Sequence, residues 1–171
     1  MTDFIESYLS KSEGDELRVL DFGSKNVNGT YRNLFNEINC EYIGLDMEYG
    51  ANVDLVPDDI YHWHELNDSS FDVIVSGQAL EHCEYFWLIF QEFKRILKPH
   101  GLLCVIAPSS GPEHKHPYDC WRFFSDGLKS LCRYVNLECL ESFTITNSLH
   151  DDGSSQWNDT ILIARNFETS F

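Results

Sequence analysis

No two of the six cysteines stand in a C-x-x-C pair, and no apolar run approaches membrane-spanning length. The first absence removes zinc-knuckle and thioredoxin-like spacings. The second removes a transmembrane reading, so no membrane partner is expected. Basic residues are scarce as well: 12 Lys and Arg stand against 28 Asp and Glu, for a formal charge of -16. Such a surface repels phosphate backbones and anionic headgroups, which argues against nucleic acid and lipid surfaces. "MTDFIESYLSKSEGDE" has no basic region followed by a long apolar core, so it does not read as a signal peptide. Cys104, in "LLCVIAP", sits in an apolar run as a small hydrophobe, which suits a reducing compartment and a cytoplasmic location.

What remains is a chain of 171 residues, 43% hydrophobic and 14% aromatic, which is enough for one folded domain over residues 1–171. Phe4, Ile5, Tyr8 and Leu9 form a helical stripe, so residues 1–14 read as an N-terminal capping helix broken at Gly14. Strands are expected at "LRVLDFG", "EYIGLDM", "ANVDLV", "SFDVIVSG", "LLCVIAP", "LECLESFTIT" and "DTILIAR". Thr30 is placed to cap a helix carrying Tyr31, Leu34, Phe35 and Ile38 on one face. Phe86, Leu88, Ile89, Phe90, Phe93, Ile96 and Leu97 mark the clearest helix, with Gln91, Glu92, Lys94, Arg95 and Lys98 outward. A further helix is expected from about Ser125 to Tyr134, and "IYHWHEL" reads as a helical turn or loop. Alternating strands and helices, then two strands without a helix, predict an α/β fold. It is a doubly wound, mostly parallel seven-stranded sheet with an antiparallel C-terminal hairpin strand.

In such a sheet, ligands bind beyond the carboxyl ends of the strands. Asp46 carries the most weight. It ends the second strand, 23 residues after Gly23, close to the roughly 20-residue offset at which an acid meets a ribose diol. The alternative is an ordinary strand-end acid in an acidic chain. The loop "LDFGSKNVNGTY" lacks the closely spaced glycines that let a backbone approach a pyrophosphate. It argues against NAD or FAD and permits a nucleoside with a cationic tail, held near Gly23 and Ser24. Asp21 either faces that cation through water or caps the neighbouring turn.

"VLDFGS", "YIGLDM" and above all "FDVIVSGQALEHCEYFWLIFQEFKRILKPHGLLCVIAP" resemble the class I S-adenosylmethionine-dependent methyltransferases. The match is to their small single-domain, type 11-like form, and it spans about Arg18 to Arg165. "HPYDCWRFFSDGLKSL" is similar to a segment of a bacterial subgroup of mostly uncharacterised members. The first motif departs from D-x-G-x-G-x-G. The resemblance implies a Rossmann-like methyltransferase fold and S-adenosylmethionine as cofactor, with S-adenosylhomocysteine as product. It implies that Gly23 and its neighbours border the methionine moiety and that Asp46 binds the ribose with Met47 against adenine. Asp59, beside Asp58, meets the adenine amino group next to Ile60, and Gly77 and Gln78 line the floor near the sulfonium.

Methyl transfer is an in-line displacement favoured by alignment and exclusion of water; a hydroxyl acceptor also benefits from a general base. His82, His114, His116 and Asp119 are the candidates, and His82, His116 and Asp119 are taken as the catalytic set. His82 reads equally as a structural histidine, and His114 and His116 as parts of a lid packed by Trp121 and Phe123. Arg122 either anchors an acidic substrate group or pairs with a local carboxylate. His114, His116, Asp119 and Cys120 offer ligand types, but their spacing matches no closed zinc pattern, so no metal is expected. The loops 109–124 and 147–158 are the substrate-side loops. The acceptor is expected to be a small molecule or saccharide, and a homodimer is compatible with the sequence. Alternatives are a non-catalytic binding or scaffold protein with the same fold, and a nicotinamide oxidoreductase, which the loop disfavours.

Overall fold

Runs rich in β-branched and aromatic residues form the sheet, as their composition dictates. A computed structural model describes residues 1–9, 16–146 and 156–167. Its strands are β1 (Leu17–Phe22), β2 (Cys40–Leu45), β3 (Phe71–Gly77), β4 (Leu97–Pro108), β5 (Glu138–Thr144) and β6 (Asp159–Arg165). Their order across the sheet is β2-β1-β3-β4-β6-β5. β1 pairs in parallel with β2 and β3, and β3 in parallel with β4. β6 lies antiparallel between β4 and β5. The chain leaves β1 toward one edge, makes β2, then crosses back to make β3. That reversal puts a crevice at the carboxyl ends of β1 and β3.

Among the described residues the sheet has six strands where seven are expected. "ANVDLV" makes only an isolated parallel bridge, Leu45 with Leu55. The cause is local. Asp54 Oδ2 accepts the Gly44 N–H at 2.8 Å, and the N–H groups of Asp54 and Leu55 both converge on the Gly44 carbonyl. A side chain thus takes an edge group that a new strand's backbone would need. Gly44 has to be glycine here, since a Cβ would lie 2.0 Å from the Asn52 carbonyl oxygen.

Helices cover both faces. On one, α2 (Phe86–Ile96) and α3 (Ser125–Val135) pack Ile89, Phe90, Phe93 and Leu128 against Leu20, Phe22, Ile74 and Val105, with Trp63 fully buried beside them. Each such burial contributes about 1.5–3 kcal/mol, so this core holds without disulfides; the cysteines are free thiols. On the other face, Phe4, Ile5, Leu9 and Phe35 cover Val19, Val73, Val75 and Cys104. The N-terminal piece is one turn, α1 (Thr2–Phe4), running into a wider turn over Ile5–Leu9. The rest of the expected capping helix, including Gly14, lies outside the described residues.

Two helical expectations need correction. The segment after Thr30 makes only a short turn, Arg32–Phe35, although the Thr30 hydroxyl does accept the Arg32 N–H at 3.1 Å. Asn33, Asn36 and Asn39 interrupt this stretch, and asparagine favours turns over helix interiors. On α2, Glu92 is buried rather than outward: it accepts the Trp63 N–H at 3.0 Å and pairs with Arg95. Arg95 also binds the carbonyls of Trp63 and Leu66, so the pair clamps the 62–68 loop to the helix. Among the described residues no helix is long and apolar enough to cross a membrane.

Candidate functional site

The crevice at the switch point begins with Gly23. Its φ is +76°, and its N–H and that of Ser24 donate to the Leu45 carbonyl at 2.9 and 3.2 Å. A Cβ on Gly23 would lie 2.3 Å from the Cβ of Ala79. Its bare backbone therefore lets the loops after β1 and β3 meet. Ser24 is buried and its carbonyl accepts the Asn52 side-chain amide at 2.9 Å. The loop then leans on the β2 end: Asn26 N–H donates to the Ala51 carbonyl, and Lys25 pairs with exposed Glu48.

Asp46 sits half-buried just past β2. Its Oδ2 accepts the Lys25 backbone N–H at 2.9 Å, and its Oδ1 accepts the Met47 N–H at 2.8 Å. These bonds fix the carboxylate plane and leave a lone pair free on each oxygen. Met47 follows, half-exposed. Asp58 and Asp59 are exposed; Asp59 holds its own turn by accepting the Tyr61 N–H at 2.8 Å, and Ile60 packs on the core edge.

Asp21 points to the opposite face of β1. It is buried, accepts the Tyr42 hydroxyl at 2.7 Å, and burial pushes its carboxyl up to about 6. Beside it, the Tyr31 hydroxyl covers Gly77, standing 2.0 Å from where a Cβ would be. Burial, then the Asp21 charge, raise the Tyr31 phenol well above its usual range. Gln78 is held through its N–H on the Ile106 carbonyl and its side-chain amide on Asp159, both at 2.9 Å. From sequence Tyr31 reads as part of a helix face and Ala79 has no role; the glycines they cover are the available signal.

A second group gathers after β3. Glu81 is fully buried, and among the described residues neither carboxylate oxygen has a hydrogen-bond partner. Burial pushes its carboxyl up to about 7. His82 Nε2 stands 3.7 Å and His114 Nε2 3.9 Å from Glu81 Oε1. The 109–124 segment brings His114 there. It is fastened by Cys120 and Trp121 N–H groups on the Glu81 carbonyl, and His114 lies against Trp157 with ring centroids 4.6 Å apart. Asp119 faces Arg122, which donates to both its oxygens at 2.6 and 2.9 Å and holds its carboxyl well below the usual range. Arg122 is therefore the partner of a local carboxylate. His116 is exposed, its ring centroid 5.8 Å from that of His82. Cys120 is exposed and outside the cluster. Of the substrate-side loop 147–158, residues 147–155 lie outside the described residues; Trp157 accepts the N–H groups of Ser109 and Ser110.

Spacing along one stretch gave no metal expectation, yet the fold joins Glu81 and His82 to a histidine more than thirty residues on. Glu81 was visible in "ALEH", but its burial was not.

A family model described as "Methyltransferase domain" matches residues 20–105. No curated protein matches the chain in sequence. Among solved structures, the chain is similar to a Burkholderia thailandensis 1,6-didemethyltoxoflavin-N1-methyltransferase with bound 1,6-didemethyltoxoflavin and S-adenosylhomocysteine. The TM-score is 0.72 at 15% identity, covering 98% of this chain and 76% of that one. The [4+2]-cyclase SpnF superposes with a TM-score of 0.72 at 16% identity, over 98% and 81% of the two chains. A SAM dependent methyltransferase from Archaeoglobus fulgidus gives 0.66 at 17% identity, over 96% and 92%.

Proposed function

Because the chain belongs to the methyltransferase-domain family, we propose that it transfers a methyl group from S-adenosylmethionine to a small-molecule or saccharide acceptor. The observation that carries this is the Asp46 carboxylate, oriented by two backbone N–H groups at the β2 end with one lone pair free on each oxygen. That arrangement fits two vicinal hydroxyls. Half-exposed Met47 beside it suits an adenine face, and Asp59, flanked by Asp58 and Ile60, is free to meet the exocyclic amine. Gly23 and Ser24 border the methionine tail, Gly77 and Gln78 form the floor beyond it, and buried Asp21 adds negative charge beneath a cation.

The cofactor supplies an electrophilic methyl on a sulfonium. The protein's own share is alignment and exclusion of water, with a base to take the acceptor proton. His82 suits that role. Its Nδ1 lies 2.6 Å from the Tyr118 carbonyl, which only accepts, so the neutral ring carries its proton there and leaves Nε2 free. Burial lowers its pKa, keeping it neutral near pH 7. Asp119, held ionised by Arg122, is too weak a base and instead positions His114. His116 stands exposed at the mouth, where it can meet the acceptor. A formal charge of -16 favours neutral or cationic acceptors.

The test is turnover with S-adenosylmethionine across pooled acceptors, reading S-adenosylhomocysteine release. Release that rises with one acceptor pool and falls in His82→Ala supports the reading; folded protein that releases none with any pool contradicts it. A second reading has its own support. Ala79 against Gly23 and Tyr31 over Gly77 occupy space at the methionine end, which favours a protein that keeps the fold without methyl transfer. Cofactor binding without any turnover would select it.

A further inference from the structure

We propose that Glu81, His82 and His114 form a binding site for one first-row divalent transition cation, with Zn2+ as the probe. The three side chains offer ligand atoms that all lie within 4.8 Å of one another. Metal–ligand bonds of about 2.0–2.1 Å set such atoms about 3.0–3.4 Å apart. Side-chain rotation of the order of an ångström therefore closes the site. Two imidazoles and one carboxylate select first-row transition cations over Mg2+ or Ca2+, which prefer all-oxygen shells.

Three further observations point the same way. Glu81 is fully buried with both oxygens unpartnered among the described residues, an arrangement that a coordinating cation relieves. The His82 ring proton is also placed by its neighbour. His82 Nδ1 faces the Tyr118 carbonyl at 2.6 Å, so the neutral ring keeps its proton there and its Nε2 lone pair faces Glu81 Oε1 at 3.7 Å. His114 Nε2 approaches the same oxygen at 3.9 Å, with its Nδ1 3.3 Å from Asp119 Oδ2, off the line of a hydrogen bond. Three ligand groups thus converge on one point. Finally, a backbone carbonyl or a carboxylate behind each imidazole is the outer support that metal-ligating histidines use to fix tautomer and orientation.

Glu81 and His82 sit on the turn after β3, and His114 reaches them from the 109–124 segment, whose N–H groups at Cys120 and Trp121 bind the Glu81 carbonyl. The cation therefore ties that segment to the sheet edge. With the cation bound, His82 Nε2 is a ligand and no longer the base. Three protein ligands leave at least one position for an oxygen of the acceptor, and a cation-bound hydroxyl ionises far more readily than a free one. The cation thus takes over the activation that the cation-free site leaves to His82. This use of the site rests on the methyl-transfer reading; the cation binding does not.

The experiment is Zn2+ and Co2+ titration of chelator-treated full-length protein, by calorimetry and by Co2+ absorption, with melting temperature followed in parallel. The expected result is one cation per chain, a raised melting temperature, and affinity lower by about 100-fold or more in Glu81→Gln and in His114→Ala. Exposed His64→Ala is the control and leaves affinity unchanged. Glu81→Gln keeps the side-chain shape, so a folded variant that has lost the cation is expected. No binding to folded wild-type protein, or equal affinity in both ligand variants, overturns the proposal. Cation binding without S-adenosylhomocysteine binding keeps the site and removes its assigned use; the reverse outcome removes the site and keeps the methyl-transfer reading.

Discussion

At the end of β2, Asp46 has each carboxylate oxygen on a backbone N–H, at 2.9 and 2.8 Å. In the turn after β3, fully buried Glu81 has no hydrogen-bond partner on either oxygen among the described residues. The two carboxylates serve the same edge of one sheet, yet the fold finishes one and leaves the other open. Asp46 is half-exposed and already oriented, which suits a ligand that arrives with its own donors. Glu81 is sealed beside two imidazoles, which suits a ligand that brings positive charge. On the proposed reading, the contrast divides the edge into a side suited to hydroxyls and a side suited to a cation or a proton.

The strongest way to break the contrast is to separate the two sides at their joint. Gly23→Ala places a residue at φ +76° and a Cβ 2.3 Å from that of Ala79. We expect it to cost about 2–5 kcal/mol, from the left-handed backbone and from overpacking together. Urea unfolding measures it, and a loss under 1 kcal/mol would show that the joint yields freely.

Next in size is Asp21, buried against the Tyr42 hydroxyl of β2. Its carboxyl rises from 3.8 to about 6, so the native state holds the proton more tightly than the unfolded chain does. The stability this confers is fully present below about pH 4 and is lost as the pH rises through about 6, by roughly 3 kcal/mol at most. Asp21→Asn still accepts the Tyr42 hydroxyl and should remove that slope, making the variant more stable than wild type at pH 8. Equal slopes in the two proteins between pH 4 and 7 would contradict the burial argument.

Arg122→Lys sharpens the other side. Lysine cannot reproduce the two-point contact with Asp119, so we expect a loss of about 1–2 kcal/mol with unchanged S-adenosylhomocysteine affinity. A melting curve and one binding isotherm are sufficient. The smallest effect is Lys25→Ala. Among the described residues the side chain pairs with exposed Glu48, whereas Asp46 uses the backbone N–H of Lys25, which the variant keeps. No change in melting temperature or cofactor affinity is expected; a clear loss of affinity would put the Lys25 ammonium in the site.

Elements fixed by local pattern were legible in the sequence. β3 announced itself as the β-branched run "SFDVIVSG", and α2 as an aromatic stripe at helical spacing, though the chain turns into β4 already at Leu97. The missing strand was not legible. "ANVDLV" has strand composition, but Asp54 competes for the Gly44 N–H through its side chain, a choice made only when the two segments meet. Glu92 looked outward by helical count, because the 62–68 loop that covers it could not be placed. In the candidate site, the place of Asp46 just past β2 followed from its offset to Gly23, since that offset reflects one strand–loop–strand unit. Glu81 did not follow, because its burial depends on residues 114–122, brought over from the far side of β4.

The most direct test of the methyl-donor assignment is calorimetry of S-adenosylhomocysteine into wild-type protein and Asp46→Ala, each checked for folding by circular dichroism. The account expects one site in the wild type and affinity lower by about 100-fold or more in the variant, from two lost charge-assisted hydrogen bonds of about 1.5–3 kcal/mol each. No heat with folded wild-type protein, or equal affinity in the two proteins, would contradict it.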